Sequence, residues 1–531
     1  MPTTYSTPGV YVEWLDASPQ RIDLRRTDVA GFVGIAERGP VQTPVTIRSY
    51  RQFYTTFGDR VADGYLAYSV AGFFENGGRT CWVVRAADPN TAVSARVRLQ
   101  LPGRDPFVVE ATSPGTWGNA VELEAIWGRD RVTHLAVRTP DDREQTLDLD
   151  ALLRRDRATV RPFHTNLLGV ADDQLPEGDT DAVVQILDHD LDIDARVITA
   201  RTRRINLEGG QNGLSSLTTE HFTGRRDGDR EWGVASLERV DDVSMVSVPD
   251  LMAGQIATSR GPEFGGFNAD AIHDAQVEII SSCLRRRDRV AILDARPVDR
   301  RQVLKARQAL PRTNQAAQYH PWIIVDDPLR IERVVRVVPP SGHVAGMIAR
   351  VDRRRGVHKP PANETLEGAF DVREVLDDPA HAELNDGLIN AIRPVPGRGV
   401  LVLGVRTLDP DVRWRYLNVR RLFTAIEETL DEQMQWVTFE PNSPRLWREI
   451  DRVVRGLLER LYRAGMLDGA TSDDAYRVRC DASTNPEWET DAGRVTCVIG
   501  LQPPYPAEFV VVRIGVTRSG IQIEEKGAQD V

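Results

Sequence analysis

Between Trp232 and about Asp326 the chain alternates apolar strand-like runs with amphipathic helix-like ones: VSMVSVP, AQVEIISSCLRRR, RVAILDA, RRQVLKARQAL and HPWIIVD. Strand, helix, strand in that order means parallel strands joined by crossover helices, and a parallel sheet must be covered on both faces. The alternation predicts an α/β domain over residues 225–395. A shorter α/β segment, 27–97, precedes it, with a buried strand in TDVAGFVGIAERGP, helices in SYRQFYTTFGD and YLAYSVAGFFENGG, and a strand in RTCWVVRAA. Gly77-Gly78 closes the second helix.

The remaining texture is different. Residues 98–224 read as a β-rich, surface-exposed insertion, with strands FVVEA, AVELEAIW and THLAVRT separated by charged turns. Residues 396–517 read as an α+β domain: strand GVLVLGVRTL, helix LNVRRLFTAIEETL, a long amphipathic helix PRLWREIDRVVRGLLERLYRAG, then strands AYRVRCD, GRVTCVIGLQ and AEFVVVRIGV. The two ends, 1–26 and 518–531, look extended. Pro8 and Pro19 deny helix to the first, yet GVYVEWL is β-branched and aromatic enough to pair as a strand, and so is GIQIE near the C-terminus. Neither has an obvious partner within its own chain.

A length of 531 residues implies three or four folding units. No apolar run approaches the roughly 20 residues of a membrane span, and MPTTYSTPGVYVEW has neither a basic leader nor an apolar core, so the chain is expected to stay in the cytoplasm after synthesis. A net charge of −11 disfavours bulk nucleic-acid binding. Cys81, Cys283, Cys480 and Cys497 are far apart, without a CxxC pair or metal-ligand spacing, and read as buried thiols in a reducing compartment; no metal or other cofactor is expected.

One stretch invites a catalytic reading. SGHVAGMIARVDRRRGVHKPPAN, Ser341 to Asn363, gathers a serine, two histidines, an aspartate and a cluster of arginines. Ser341 follows two prolines and lacks the GxSxG elbow of a nucleophile, and the glycines match neither a P-loop nor a dinucleotide fingerprint. Arg350, Arg353, Arg354, Arg355 and Lys359 could hold an anion, but an arginine run is more often a solvated or subunit-facing surface. No catalytic activity is expected.

The chain resembles the tail sheath proteins of contractile phage tails and related injection systems. YSTPGVYVEW, TDVAGFVGIAERGP, SYRQFYTTFGD, ENGGRTCWVVRA and SPGTWGNAVELE carry the resemblance in the first half. It is densest from VVPPSGHVAGMIARVDRRRGVHKPPAN through LNDGLINAIRPVPGRGVLVLGVRTL and RYLNVRRLFTAIEETL to QWVTFEPN, and closes with Leu446-Trp447, YRVRCD and PAEFVVVRI. It implies a subtilisin-like α/β middle domain without protease activity. It also implies a homo-oligomeric helical sheath of stacked hexameric rings around an inner tube protein, with baseplate and terminal cap proteins as further partners and no membrane insertion. A hydrolase on the same scaffold and a static helical shell are the alternatives.

The resemblance gives the two ends a use. Gly9, Val10, Tyr11, Val12, Glu13 and Trp14 at one end, and Ile521 and Ile523 at the other, become strand arms that complete sheets in neighbouring copies by main-chain pairing. In the long helix, Trp447, Ile450, Val454, Leu457 and Leu461 form a core stripe, with Arg445, Arg448, Arg452 and Arg455 roughly 190° away. Those four arginines are the candidate contact with an acidic inner tube.

Overall fold

A computed structural model of the chain describes residues 24–62, 64–102, 106–128, 131–140, 144–149, 184–187, 196–197, 204–224, 226–227, 230–256, 264–328, 335–508, 512–517 and 520–525. The GVYVEWL segment therefore lies outside the described residues. The fold is mixed α/β and divides into two compact units, one of residues 26–424 with 503–531, the other of 1–25 with 425–502.

The larger unit is built on a nine-stranded sheet in the order Val45–Ile47, Cys81–Arg85, Ala30–Gly34, Met245–Ser247, Val290–Asp294, Ala316–His320, Ile389–Val395, Gly399–Val402, Glu364–Thr365. From Cys81–Arg85 to Ile389–Val395 every pairing is parallel, and antiparallel strands close both edges. The alternation of side chains along each strand feeds two cores. Phe32 and Ile292 join helices Leu66–Glu75 and Ser341–Arg355 in one, while Val33 and Leu293 join helix Ala269–Arg286 in the other.

Two sequence expectations change here. Segments 27–97 and 225–395 share this one sheet, with Ala30 paired to Met245, so the break between them is made by the insertion and not by a boundary between cores. The third strand of the 232–326 alternation is Ala316–His320, whereas the expected strand in HPWIIVD, Ile323–Asp326, belongs to a separate three-stranded sheet with Val335–Val338 and Ala369–Val372. AAQYH is fully buried, but its Gln318 and His320 disguise it as polar.

The described residues between 96 and 212 are mostly strands. Two four-stranded sheets, one around Arg96–Gln100 and Phe107–Ala111 and the other around Glu122–Trp127 and Val132–Arg138, share a core of Leu99, Val109, Trp117, Leu123, Leu135 and Val137. The C-terminal tail differs from expectation: Gly520–Glu525 pairs antiparallel with Val512–Thr517 as a hairpin, so this end does have a partner at home.

In the smaller unit, helix Pro444–Arg463 starts with Pro444 in its first turn, where the missing N–H costs nothing. It buries Leu446, Trp447, Ile450, Val454, Leu457, Leu458 and Leu461, which contains the whole expected stripe. It packs on a two-stranded sheet of Tyr476–Arg479 and Val498–Leu501. QWVTF, which follows helix Leu417–Gln433, contains a short 3-10 turn at Gln435–Val437.

Candidate functional site

The stretch that suggested chemistry begins as a buried helix. Ser341 through Val351 are all buried within Ser341–Arg355. The Ser341 hydroxyl donates to Asp294 Oδ2 at 2.6 Å, its backbone N–H donates to Oδ1 at 2.9 Å, and the Ser247 hydroxyl donates to Ser341 Oγ at 2.8 Å. Asp294 ends a central strand, so its carboxyl meets the helix N-terminus. Burial pushes that carboxyl up to about 7, against the pull of the Ser341 hydrogen bonds. His343, two residues on, points elsewhere: its ring faces Gly72, its Nδ1 has no hydrogen-bond partner, and burial pushes it down to about 4. Ser341 is 0% exposed and has a carboxyl where a triad needs an imidazole. The cluster fastens a helix to a sheet.

A second buried carboxyl works in the same way. Asp250 accepts from the backbone N–H of Ile35 at 2.6 Å and from that of Tyr65, tying the end of the Ala30–Gly34 strand to the start of helix Leu66–Glu75, and burial pushes it up to about 7.

The arginines of the same helix are mostly occupied. Arg350 donates to the Thr365 carbonyl at 2.6 Å, and Arg353 to that of Gly77 at 2.6 Å. Beside them Glu75, Glu364 and Glu367 line a cleft of about 360 Å³, so both signs of charge meet there. That balance does not suit an anion. Asp352 is held by Arg421 from helix Leu417–Gln433, and both also bind Thr27, where the N-terminal segment joins the sheet.

Helix Pro444–Arg463 exposes all four expected arginines, but unequally occupied. Arg455 pairs with Asp451 at 2.7 Å and donates to the Val478 carbonyl at 2.6 Å; Arg452 reaches Glu449 at 3.5 Å. These are the i,i+3 and i,i+4 pairs a helix surface favours. Arg445 and Arg448 have no ion partner among the described residues.

Comparisons with known proteins follow the same order along the chain. Residues 265–408 match the family model of the phage tail sheath protein central domain, and residues 409–517 match that of the phage tail sheath C-terminal domain. Residues 265–517 are thus the central and C-terminal domains of a tail sheath protein. Among solved structures, the chain is similar to the sheath of the extracellular contractile injection system PVC in its contracted state, at TM-score 0.56 and 20% identity, covering 98% of this chain and 99% of that one. It is similar to the contracted helical sheath of the anti-feeding prophage at TM-score 0.55 and 20% identity, covering 97% and 100%. It is also similar to a sheath tail protein of Desulfitobacterium hafniense at TM-score 0.57 and 12% identity, covering 89% and 93%. No curated protein matches.

The expected interface residues fall in three places. Gly9 to Trp14 lie outside the described residues. Ile521 and Ile523 sit on one strand of the C-terminal hairpin, opposite Val516 and Ile514. The arginines lie on a helix of the smaller unit. Among the described residues the hairpin has no third strand, and an isolated pair of strands is marginal in water. The chain leading to it is firmly held: Glu508 takes two hydrogen bonds from Arg406, at 2.6 and 3.1 Å, and Asn418 donates to the Pro504 carbonyl at 3.2 Å. Sequence reasoning missed the Asp294–Ser341 and Asp352–Arg421 fasteners. The signal for the first is an aspartate ending the apolar run RVAILD. Arg421 carries no local mark. Among the described residues no cluster of side chains could hold a metal ion, and no helix is long and apolar enough to cross a membrane.

Proposed function

We propose that this sheath subunit polymerises as stacked hexameric rings around an inner tube and contracts from a metastable extended state, driving the tube through a target envelope. Both sheath domain models matching in order over residues 265–517 is the observation that carries the reading. In it the middle domain is subtilisin-like in topology and not catalytic, 98–224 is a surface-exposed insertion, 396–517 is the inner domain, and 1–26 and 518–531 are linker arms. Gly9–Trp14 of one copy and the strand with Ile521 and Ile523 of another complete a sheet in a third. The open edges of the C-terminal hairpin support that use, because strand addition offers them main-chain partners.

Strand linkages keep copies joined while their domains turn. Contraction then needs only a few kcal/mol of difference per contact, summed over many identical units. Arg445 and Arg448 face an acidic tube, the subunits assemble in the cytoplasm, and baseplate and cap proteins close the ends. Electron microscopy of sheath assembled with its tube tests the proposal. Striated rods in two forms, one long and narrow and one short and wide, are expected; rods of a single form under every trigger would refute contraction.

A further inference from the structure

The four cysteines divide into two kinds. Cys81 and Cys283 are separately buried, each in one core of the large sheet, whereas Cys480 and Cys497 are neighbours in the smaller unit. The antiparallel strands Tyr476–Arg479 and Val498–Leu501 pair in a register that sets Arg479 against Val498. One further step along the ladder brings Cys480 opposite Cys497, close enough that each thiol shifts the titration of the other. Directly opposed residues of an antiparallel pair have Cα atoms about 4.5–5.5 Å apart, inside the range a disulfide spans.

The position is fixed as well as near. Asn485 receives the Thr496 N–H at 2.6 Å and donates to the Thr496 carbonyl at 3.0 Å, which clamps the residue before Cys497; the same amide lies 4.0 Å from the Cys480 sulfur. Cys480 is buried and Cys497 is half-buried, so a small oxidant reaches the second first.

We propose that Cys480 and Cys497 are a disulfide-forming site that covalently closes the 480–497 loop of the C-terminal unit when the protein leaves a reducing medium. A small-molecule disulfide such as oxidised glutathione supplies the oxidation. The Cys497 thiolate attacks one of its sulfurs, forming a mixed disulfide and expelling one thiolate. The Cys480 thiolate then attacks the Cys497 sulfur, forming the protein disulfide and expelling the second. Two protein thiols are oxidised, one disulfide is reduced, and the two protons pass to solvent or to the released thiolates.

The rate is set by the surroundings. Burial raises both thiols; Cys480 adds to the rise of Cys497, to about 12, whereas Cys497 lowers Cys480. Asp451 and Arg455 of the Pro444–Arg463 helix face the pair, and Asp481 adjoins Cys480. Little thiolate exists near neutrality, so the pair resists casual oxidation and closure accelerates about tenfold per pH unit.

The inference concerns the single chain and stands apart from sheath assembly. The test is to hold the folded full-length protein in excess oxidised glutathione at about pH 7 and about pH 8.5, then count thiols and map peptides. Free thiols fall from four to two, a peptide joining Cys480 to Cys497 appears in the monomer, no glutathione remains attached, and thermal unfolding moves upward reversibly with dithiothreitol. In Cys497→Ser and in Cys480→Ala no such cross-linked peptide forms. A full set of free thiols at the higher pH, a lasting glutathione adduct on Cys497 beside a free Cys480, or a link only between chains would each overturn the proposal.

Discussion

Asp352 and Arg421 form a two-point ion pair, at 2.6 and 2.9 Å, with side chains only 4% and 3% exposed. Thr27 completes it, its hydroxyl donating to Asp352 and its carbonyl accepting from Arg421. A buried pair holds a great deal of desolvated charge, so the loss of one partner costs far more than the pair is worth. Arg421→Met is expected to destabilise the larger unit by about 3–5 kcal/mol in urea unfolding. The double change Asp352→Leu with Arg421→Met should recover much of that, since neither charge is then stranded. If the double variant is no better than the single one, stranded charge is not what makes this site sensitive.

The Asp294 fastener predicts a pH signature. Its carboxyl titrates near 7 when folded and near 4 when unfolded, so the native state holds a proton that the unfolded chain has released across that window. Its contribution is full below about pH 4, falls as pH rises to about 7, and is flat above. Asp250 follows the same sign, while His343, folded value about 4, loses its contribution as pH falls. Comparing wild type with Asp294→Asn cancels these other groups. From about pH 5 to pH 7 the variant should gain about 2–3 kcal/mol relative to wild type. A constant difference between the two proteins over that range would show that the carboxyl titrates normally.

How much of this was readable beforehand depends on how local the cause is. RVAILD and GFVGI announce buried strands through their own residues, and PRLWREIDRVVRGLLERLYR announces its helix through an apolar stripe and a starting proline. Ala316–His320 was hidden because a central strand can bury Gln318 and His320 inside a fold the local pattern does not reveal. The pairing of Ala30 with Met245 was hidden because strand order is a long-range property, and an insertion separates the partners. At the candidate interface, the sequence revealed the arginine stripe but not its partial neutralisation, since whether Arg455 turns to Asp451 and Val478 is settled by packing.

Helices Leu66–Glu75 and Ser341–Arg355 cross at glycines, and that closeness is testable. A Cβ at Gly346 would collide with the Phe73 carbonyl oxygen and stand 2.8 Å from Phe73 Cα. Backbone cannot swing aside, so Gly346→Ala is expected to cost about 1–3 kcal/mol through overpacking. Gly456, in the middle of helix Pro444–Arg463, has its nearest such neighbour 3.9 Å away at the end of Arg460. There the same substitution should stabilise by about 0.5–1 kcal/mol, because helical alanine is preferred over glycine. Opposite signs in calorimetry support the close crossing; a loss at both positions would contradict it.

The unequal state of the four helix arginines sharpens the tube-contact proposal. Arg445→Glu with Arg448→Glu should lower co-sedimentation with the inner tube at least about tenfold at low salt, with a smaller difference at high salt where screening weakens both proteins. Arg455→Gln should act instead on the fold, reducing the melting temperature through the lost Asp451 and Val478 contacts. Circular dichroism of the isolated chain separates the two outcomes. Unchanged tube binding by the double reversal across salt concentrations would rule the contact out.

The C-terminal hairpin gives the most direct test of strand exchange. Gly520–Glu525 covers one edge of Val512–Thr517 through a register running from Thr517 with Gly520 to Val512 with Glu525. If the hairpin served only its own chain, ending the chain after Thr517 would expose an edge at the margin of the larger unit but leave copies free to associate through other surfaces. If the hairpin is an arm, the same truncation removes the ladder through which a neighbour is held, and the Arg406–Glu508 anchor keeps the rest of the unit folded. The expected result is a melting temperature within a few degrees of the full chain, together with a drop of at least about tenfold in the fraction that pellets as long rods, since each strand junction is repeated along the polymer. Wild-type yields of long rods from truncated chains of normal stability would show that copies are joined elsewhere.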